Sequence, residues 1–121
     1  MRERTGSDAA ASRRTSAAGR GRPGVASPVE PLVSVVIPVR GRPGELACCL
    51  YFLFDQTLPE EEFEVLVCDD GSTPEDAARI QRLCAGEPNV HYLRQDPKGP
   101  AAARNLGVRH AKAPVIAFTD S

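Results

Sequence analysis

The chain has 121 residues, 41% of them hydrophobic and 26% charged, and a formal net charge of −1. That length holds one small domain at most, and so small a charge argues against a general attraction to nucleic acid or anionic lipid. No run approaches the ~20 apolar residues that a bilayer span needs, and no apolar segment follows the N-terminal arginines as a secretory signal would require.

The first 30 residues are rich in Arg, Ser, Ala, Gly and Pro, and besides Met1 carry only Val25 and Val29 as large aliphatics. Such a stretch buries too little apolar surface to offset its chain entropy, so residues 1–31 are expected to form a disordered tail and residues 32–121 the folded part. Arg2, Arg4, Arg13, Arg14, Arg20 and Arg22 read as a solvated basic tail, or else as an arm that touches RNA or a membrane. Glu3, Asp8 and the lack of an amphipathic stripe speak against a transit peptide. Gly19-Arg20-Gly21-Arg22-Pro23-Gly24 fits G-x-G-x-x-G, but it follows no strand and opens no helix, so the dinucleotide reading fails.

In the folded part, Val33 to Ile37 is a β-branched run ended by Pro38, the pattern of a strand buried on both faces. After the Gly41-Arg42-Pro43-Gly44 turn, Leu46, Cys49, Leu50, Leu53 and Phe54 recur at helical spacing over residues 44–56. Tyr51 and Phe52 lie on the other side of this helix, so cover on more than one face is expected. Phe63 to Cys68 reads as the second strand and is followed by Asp69-Asp70-Gly71-Ser72. Thr73 caps the next helix, Pro74 opens it and Asp76 occupies the capping-box position. Ala77, Ile80, Leu83 and Cys84 form its apolar face, and Gly86 stops it. Val90 to Leu93 is a third strand. Pro100 opens a third helix whose Ala101, Ala102, Ala103 and Gly107 allow close approach to a sheet. Pro114 ends it, and Val115 to Phe118 reads as a fourth buried strand.

This β-α-β-α-β-α-β alternation predicts an α/β domain with a parallel sheet, right-handed crossovers and helices on both faces. Cys48, Cys49, Cys68 and Cys84 include no C-x-x-C pair, and neither His91 nor His110 has a cysteine at zinc-site spacing. Three of the four sit in apolar runs and read as small core side chains in a reducing compartment.

The residues with chemical potential follow the strands. Pro38, Val39 and Arg40 follow the first, Asp69 and Asp70 the second, and Asp120 the fourth. All would meet at the carboxyl rim of the sheet, where open α/β folds bind ligands at the point of strand-order reversal. With order 3-2-1-4 that crevice lies between the first and fourth strands. Asp69-Asp70-Gly71-Ser72 could be a simple strand-to-helix turn, yet two adjacent carboxylates repel each other. Alternation along the strand should turn one of them into the crevice, where it can accept from a base N–H or a ribose hydroxyl. Lys98 and Gly99 precede a helix N-terminus, a natural place for an anion. Arg104, one turn in, suits a phosphate or else is a solvated surface residue. Asp120 alone is a weak signal.

Four blocks in order, Val33-Ser-Val-Val-Ile-Pro-Val39, Asp69-Asp70-Gly71-Ser72, Gly99-Pro-Ala-Ala-Ala-Arg104-Asn105-Leu-Gly107 and Ile116-Ala-Phe-Thr-Asp-Ser121, resemble family 2 glycosyltransferases of the GT-A fold. The resemblance covers residues 33–121. It implies a Rossmann-like GT-A half-domain that binds a nucleotide-diphosphate sugar, commonly UDP-linked. The sugar would pass to an acceptor hydroxyl with inversion. Pro38, Val39 and Arg40 would line the nucleotide pocket, Arg40 standing where the family often has an aromatic. Asp70, with Asp69, would hold the uracil or ribose, and Lys98, Gly99 and Arg104 would lie near the pyrophosphate. Asp120 would be the first carboxylate of the D-x-D motif and hold a divalent cation, Mg²⁺ or Mn²⁺, that neutralises the departing diphosphate.

The second carboxylate of that motif is expected one residue past Ser121 and the catalytic base further on, so the chain alone would bind nucleotide without turnover. The acceptor would be a glycan or lipid, as in cell-envelope polysaccharide synthesis, and no nucleic acid partner is expected. The location would be cytoplasmic, with peripheral membrane association only through parts outside this chain. The alternative is a non-catalytic nucleotide-binding or interaction remnant of the fold. A receiver-like signalling domain fits less well, because the acidic pair follows the second strand and no Asp immediately follows Leu93.

Overall fold

The computed structural model describes residues 30–56 and 58–120. The expected tail, with its arginines and glycine motif, therefore lies almost wholly outside the described residues. Strands β1 (Val33–Val39), β2 (Phe63–Asp70), β3 (Val90–Gln95) and β4 (Val115–Phe118) alternate with helices α1 (Pro43–Phe54), α2 (Pro74–Ala85) and α3 (Pro100–His110). A 3₁₀ turn, Glu60–Glu62, precedes β2. The strands form one sheet in the order β3-β2-β1-β4, and every pairing is parallel. The expected α/β architecture and strand order are those observed.

Each helix opens on a proline, whose fixed φ suits the first turn and whose missing N–H costs nothing there. Thr73 Oγ1 accepts from the Asp76 N–H at 3.2 Å, the expected cap of α2.

Alternation along the strands divides the core into two layers. Val35, Ile37 and Val39 of β1 with Val65 and Val67 of β2 pack against Leu46 and Leu50 of α1 and Ile80 and Cys84 of α2. On the opposite face, Val36, Leu66 and Cys68 pack against Ala103 of α3. Helix α3 lies so close to the sheet that a Cβ on Gly107 would stand 2.5 Å from Val36 Cγ1 and 2.9 Å from Cys68 Sγ. The small residues of this helix thus set its distance from the sheet.

At the amino end of the sheet, buried Ser34 Oγ donates to Glu64 Oε2 at 2.6 Å. The Lys112 N–H donates to the same oxygen at 2.8 Å, and the Ala113 N–H donates to Ser34 Oγ at 3.1 Å. These bonds tie the α3–β4 connection, and so the start of β4, to the two central strands.

Three sequence expectations change. Strand β4 is not buried: Val115 is 55% and Phe118 51% exposed. Among the described residues it pairs only with β1, so an apolar run that reads as a central strand lies at an edge. Tyr51 and Phe52, expected to be covered, are exposed and meet each other edge to face at 5.7 Å. Strands β2 and β3 are also longer than their apolar runs. Pairing of Asp69 with Arg94 and of Asp70 with Gln95 carries the ladder two residues further, so both aspartates lie within β2 rather than after it.

Candidate functional site

Because all four strands run the same way, the segments after β1, β2 and β4 emerge at one rim of the sheet. Strand order reverses between β1 and β4 there. A cleft of about 580 Å³ opens at this rim, lined by Pro38, Val39, Arg40, Arg42, Asp70, Gly99, Pro100, Ala103, Arg104 and Asp120. Its size falls within the range of small-molecule sites, and its place is the one that doubly wound sheets use for ligands.

Seven of the nine residues singled out from the sequence share this cleft: Pro38, Val39, Arg40, Asp70, Gly99, Arg104 and Asp120. Asp69 and the Lys98 side chain are not among its lining groups. The twofold alternation of β2 separates the two aspartates. Asp70 follows the phase of Leu66 and Cys68 toward the α3 side, whereas Asp69 follows Val65 and Val67 and is fully buried. Asp69 Oδ2 accepts from the Tyr92 hydroxyl and from Arg94 Nη1, the latter at 3.1 Å, and Oδ1 accepts from the Ser72 N–H at 2.9 Å. Its carboxylate is therefore committed to bonds within the protein.

Asp70 is also largely enclosed. Oδ1 accepts from Gln95 Nε2 at 2.9 Å and from the Lys98 N–H at 2.7 Å, and Oδ2 accepts from the Gly99 N–H at 2.9 Å. Lys98 thus contributes its backbone to the site. Burial opposes ionisation of Asp70, but these three bonds and the Arg40 guanidinium outweigh it and hold the carboxyl below its ordinary range. The result is a carboxylate that stays charged at neutral pH and retains accepting capacity on Oδ2 at the cleft wall.

Arg104 stands one turn into α3, with Nη2 3.4 Å from Asp120 Oδ1. Asp120 is 85% exposed in its side chain, so the pair contributes little to stability and both groups remain accessible to a ligand. Arg40, Arg42 and Arg104 face Asp70 and Asp120 around the cleft, an excess of positive charge that suits an anionic ligand. Among the described residues no group of three or more His, Cys, Asp or Glu side chains is placed to hold a metal ion. Asp120 supplies one hard oxygen donor, which fits a cation shared with ligand phosphates and not an all-protein cage.

Sequence reasoning missed Arg42, Pro100 and Ala103 as lining residues. Arg42 lay inside a Gly-Arg-Pro-Gly turn. The only signal for it was a second arginine two residues after Arg40 in the loop that leaves β1.

A cleft at the switch point of a parallel 3-2-1-4 sheet is the ligand-binding arrangement of a doubly wound α/β protein. The family model "Glycosyl transferase family 2" matches residues 34–121, and the chain belongs to that family. It is 44% identical over 102 residues to the validoxylamine A glucosyltransferase of Streptomyces hygroscopicus subsp. limoneus, covering 82% of this chain and 22% of that protein. S. aureus TarS 1-349 superposes with a TM-score of 0.63 at 26% identity, over 74% of this chain and 27% of that one. The mannosyltransferase PcManGT from Pyrobaculum calidifontis, solved with GDP-Man and Mn²⁺, superposes at 0.67 and 22% identity, over 92% of this chain and 34% of that one, and supports the fold alone. The chain spans 14% of the length of an uncharacterized glycosyltransferase of Rickettsia felis and 30% of Haloferax volcanii glycosyltransferase AglE. No described helix is long and apolar enough to cross a membrane.

Proposed function

We propose that this chain is the donor-binding part of a glycosyltransferase that moves a sugar from a nucleotide-diphosphate sugar, UDP-linked by preference, to an acceptor hydroxyl with inversion. The observation that supports this most is the meeting of Asp70, Arg104 and Asp120, from three separate segments, in one cleft at the carboxyl rim. Asp70 accepts from the base or ribose, and Pro38, Val39 and Arg40 form the wall beside it. Arg104 and the N-terminus of α3 at Gly99 and Pro100 face the diphosphate, where an oriented helix end and a guanidinium favour negative charge. Asp120 is the ligand proposed for Mg²⁺ or Mn²⁺, which would lower the charge on the leaving diphosphate. Residues 32–121 form the donor-binding unit and residues 1–31 a separate tail. The acceptor is a glycan or lipid, as cell-envelope polysaccharide synthesis would require. The reaction takes place on the cytoplasmic side, where nucleotide sugars are made.

Isothermal titration of the 121-residue chain with UDP and Mn²⁺, against uridine with Mn²⁺, tests the reading. UDP is expected to bind at least about tenfold more tightly, roughly 1.4 kcal/mol, and Arg104→Ala or removal of Mn²⁺ to erase most of that gain. Equal affinity for UDP and uridine rejects the diphosphate site and leaves the non-catalytic remnant as the better reading.

A further inference from the structure

The loop that carries Arg40 and Arg42 into the cleft is held in a costly conformation. Gly41 sits at φ 70, and Arg42 at φ 57 is the one non-glycine residue with positive φ among those described. L-residues disfavour that region because Cβ approaches the following carbonyl, so something must over-determine it. The Arg42 carbonyl accepts from the Glu45 and Leu46 N–H groups at 3.1 and 3.2 Å, which starts α1. Arg42 Nη1 also lies 3.5 Å from Glu45 Oε1, an exposed pair of little weight. Neither contact fixes the loop relative to β2, whose last residue, Asp70, stands in the cleft wall.

Past the end of the β1–β2 ladder at Val39 and Asp69, a chain of side-chain bonds does. The Gly41 N–H donates to Ser72 Oγ at 2.6 Å. Ser72 is itself clamped from both sides of its backbone: its N–H donates to Asp69 Oδ1, and its carbonyl accepts from Arg94 Nη2 at 2.8 Å. Arg94 Nη1 and the Tyr92 hydroxyl hold the other Asp69 oxygen. A planar guanidinium donating two bonds in fixed geometry to Asp69 and Ser72 is a clamp that a lysine cannot reproduce. The relay thus runs from β3 through the buried Asp69 to Ser72 and Gly41, and ends on the two arginines at the cleft wall. None of Tyr92, Arg94, Asp69 or Ser72 lines the cleft itself.

We infer that Arg94 and Ser72 are positioning residues for the ligand site: the Arg94–Asp69–Ser72–Gly41 relay pre-sets Arg40 and Arg42 for the anionic ligand, although neither Arg94 nor Ser72 touches it. The inference rests on the nucleotide reading above. It also explains why Asp69, the expected partner of Asp70 in nucleotide binding, is wholly enclosed: its task is to hold the loop.

Three measurements on the 121-residue chain test this: amide exchange at Gly41, UDP affinity with Mn²⁺, and an Arg40→Ala cycle. Ser72→Ala and Arg94→Lys should each speed Gly41 amide exchange while the sheet amides stay protected. Each should weaken UDP by about five- to tenfold, the order of one lost positioning contact. Arg40→Ala should weaken UDP in the wild-type chain but add little in either variant, a coupling that a merely structural residue would not produce. Faster Gly41 exchange with unchanged UDP affinity, or full additivity with Arg40→Ala, overturns the relay and leaves the nucleotide reading standing. Failure of the wild-type chain to bind UDP overturns the functional reading and this inference with it.

Discussion

Replacing Asp70 by alanine should destabilise the fold as well as empty the cleft of its buried acceptor. The side chain is 4% exposed and takes bonds from Gln95 Nε2, the Lys98 N–H and the Gly99 N–H. Lys98 is exposed and Gly99 half-buried, so water can reach the donors that lose their partner. Each bond therefore counts near the net value of ~0.5–1.5 kcal/mol instead of the full cost of a stranded buried group. Three such bonds amount to about 2–3 kcal/mol, a fall in Tm on the order of 10–20 °C for a folded part of this size. The same carboxylate predicts the acid limb. Its folded pKa lies below the unfolded value, so its contribution is complete above the ordinary carboxylate range and disappears as pH falls through the folded value. The wild-type chain should lose stability on acidification through about pH 4 and below, and Asp70→Ala should flatten that limb. Circular-dichroism melts of both chains across this range provide the assay. A variant that melts within about 2 °C of wild type, with the same acid slope, would falsify the account of Asp70 as the anchor of the α3 N-terminus.

Gly107→Ala sets helix propensity, worth about 1 kcal/mol in favour of alanine, against overpacking that costs ~1–3 kcal/mol. The new Cβ would meet the Val36 and Cys68 side chains, which are buried in the sheet, so overpacking should win by up to ~2 kcal/mol in urea unfolding. Gly44→Ala, where a Cβ meets nothing within 4 Å, should be neutral or stabilising by up to ~1 kcal/mol; equal losses at both positions would contradict the close α3–sheet contact. Thiol labelling provides a third check. Cys48 is exposed, whereas burial pushes the Cys68 and Cys84 thiols up to about 11, with the Asp69 charge adding to the shift of Cys84. Iodoacetamide at about pH 8 should therefore modify Cys48 first and leave Cys68 and Cys84 unmodified until the chain unfolds. Labelling of Cys68 at the rate of Cys48 in the folded chain would show that the α3 layer is not closed.

Local chemistry by itself determined the order and type of the elements. β-Branched runs, prolines at first turns and the Thr73 cap act within a few residues, and parallel alternation then carries the carboxyl ends of all four strands, with the segments that leave them, to one rim. The meeting of Asp70, Arg104 and Asp120 was legible for that reason. Tertiary structure alone decided which aspartate faces the cleft, because a period of two gives relative phase but not which face is which, and α3 is what defines the cleft side of β2. It decided that Val115 and Phe118 are exposed, since an edge strand and a central one can carry the same apolar run and differ only in their neighbours. The place of Arg42 at the cleft wall and the relay from Arg94 to Gly41 were likewise hidden. Both depend on a left-handed backbone held by residues 22 to 31 positions apart in sequence, and no local pattern encodes contacts of that range.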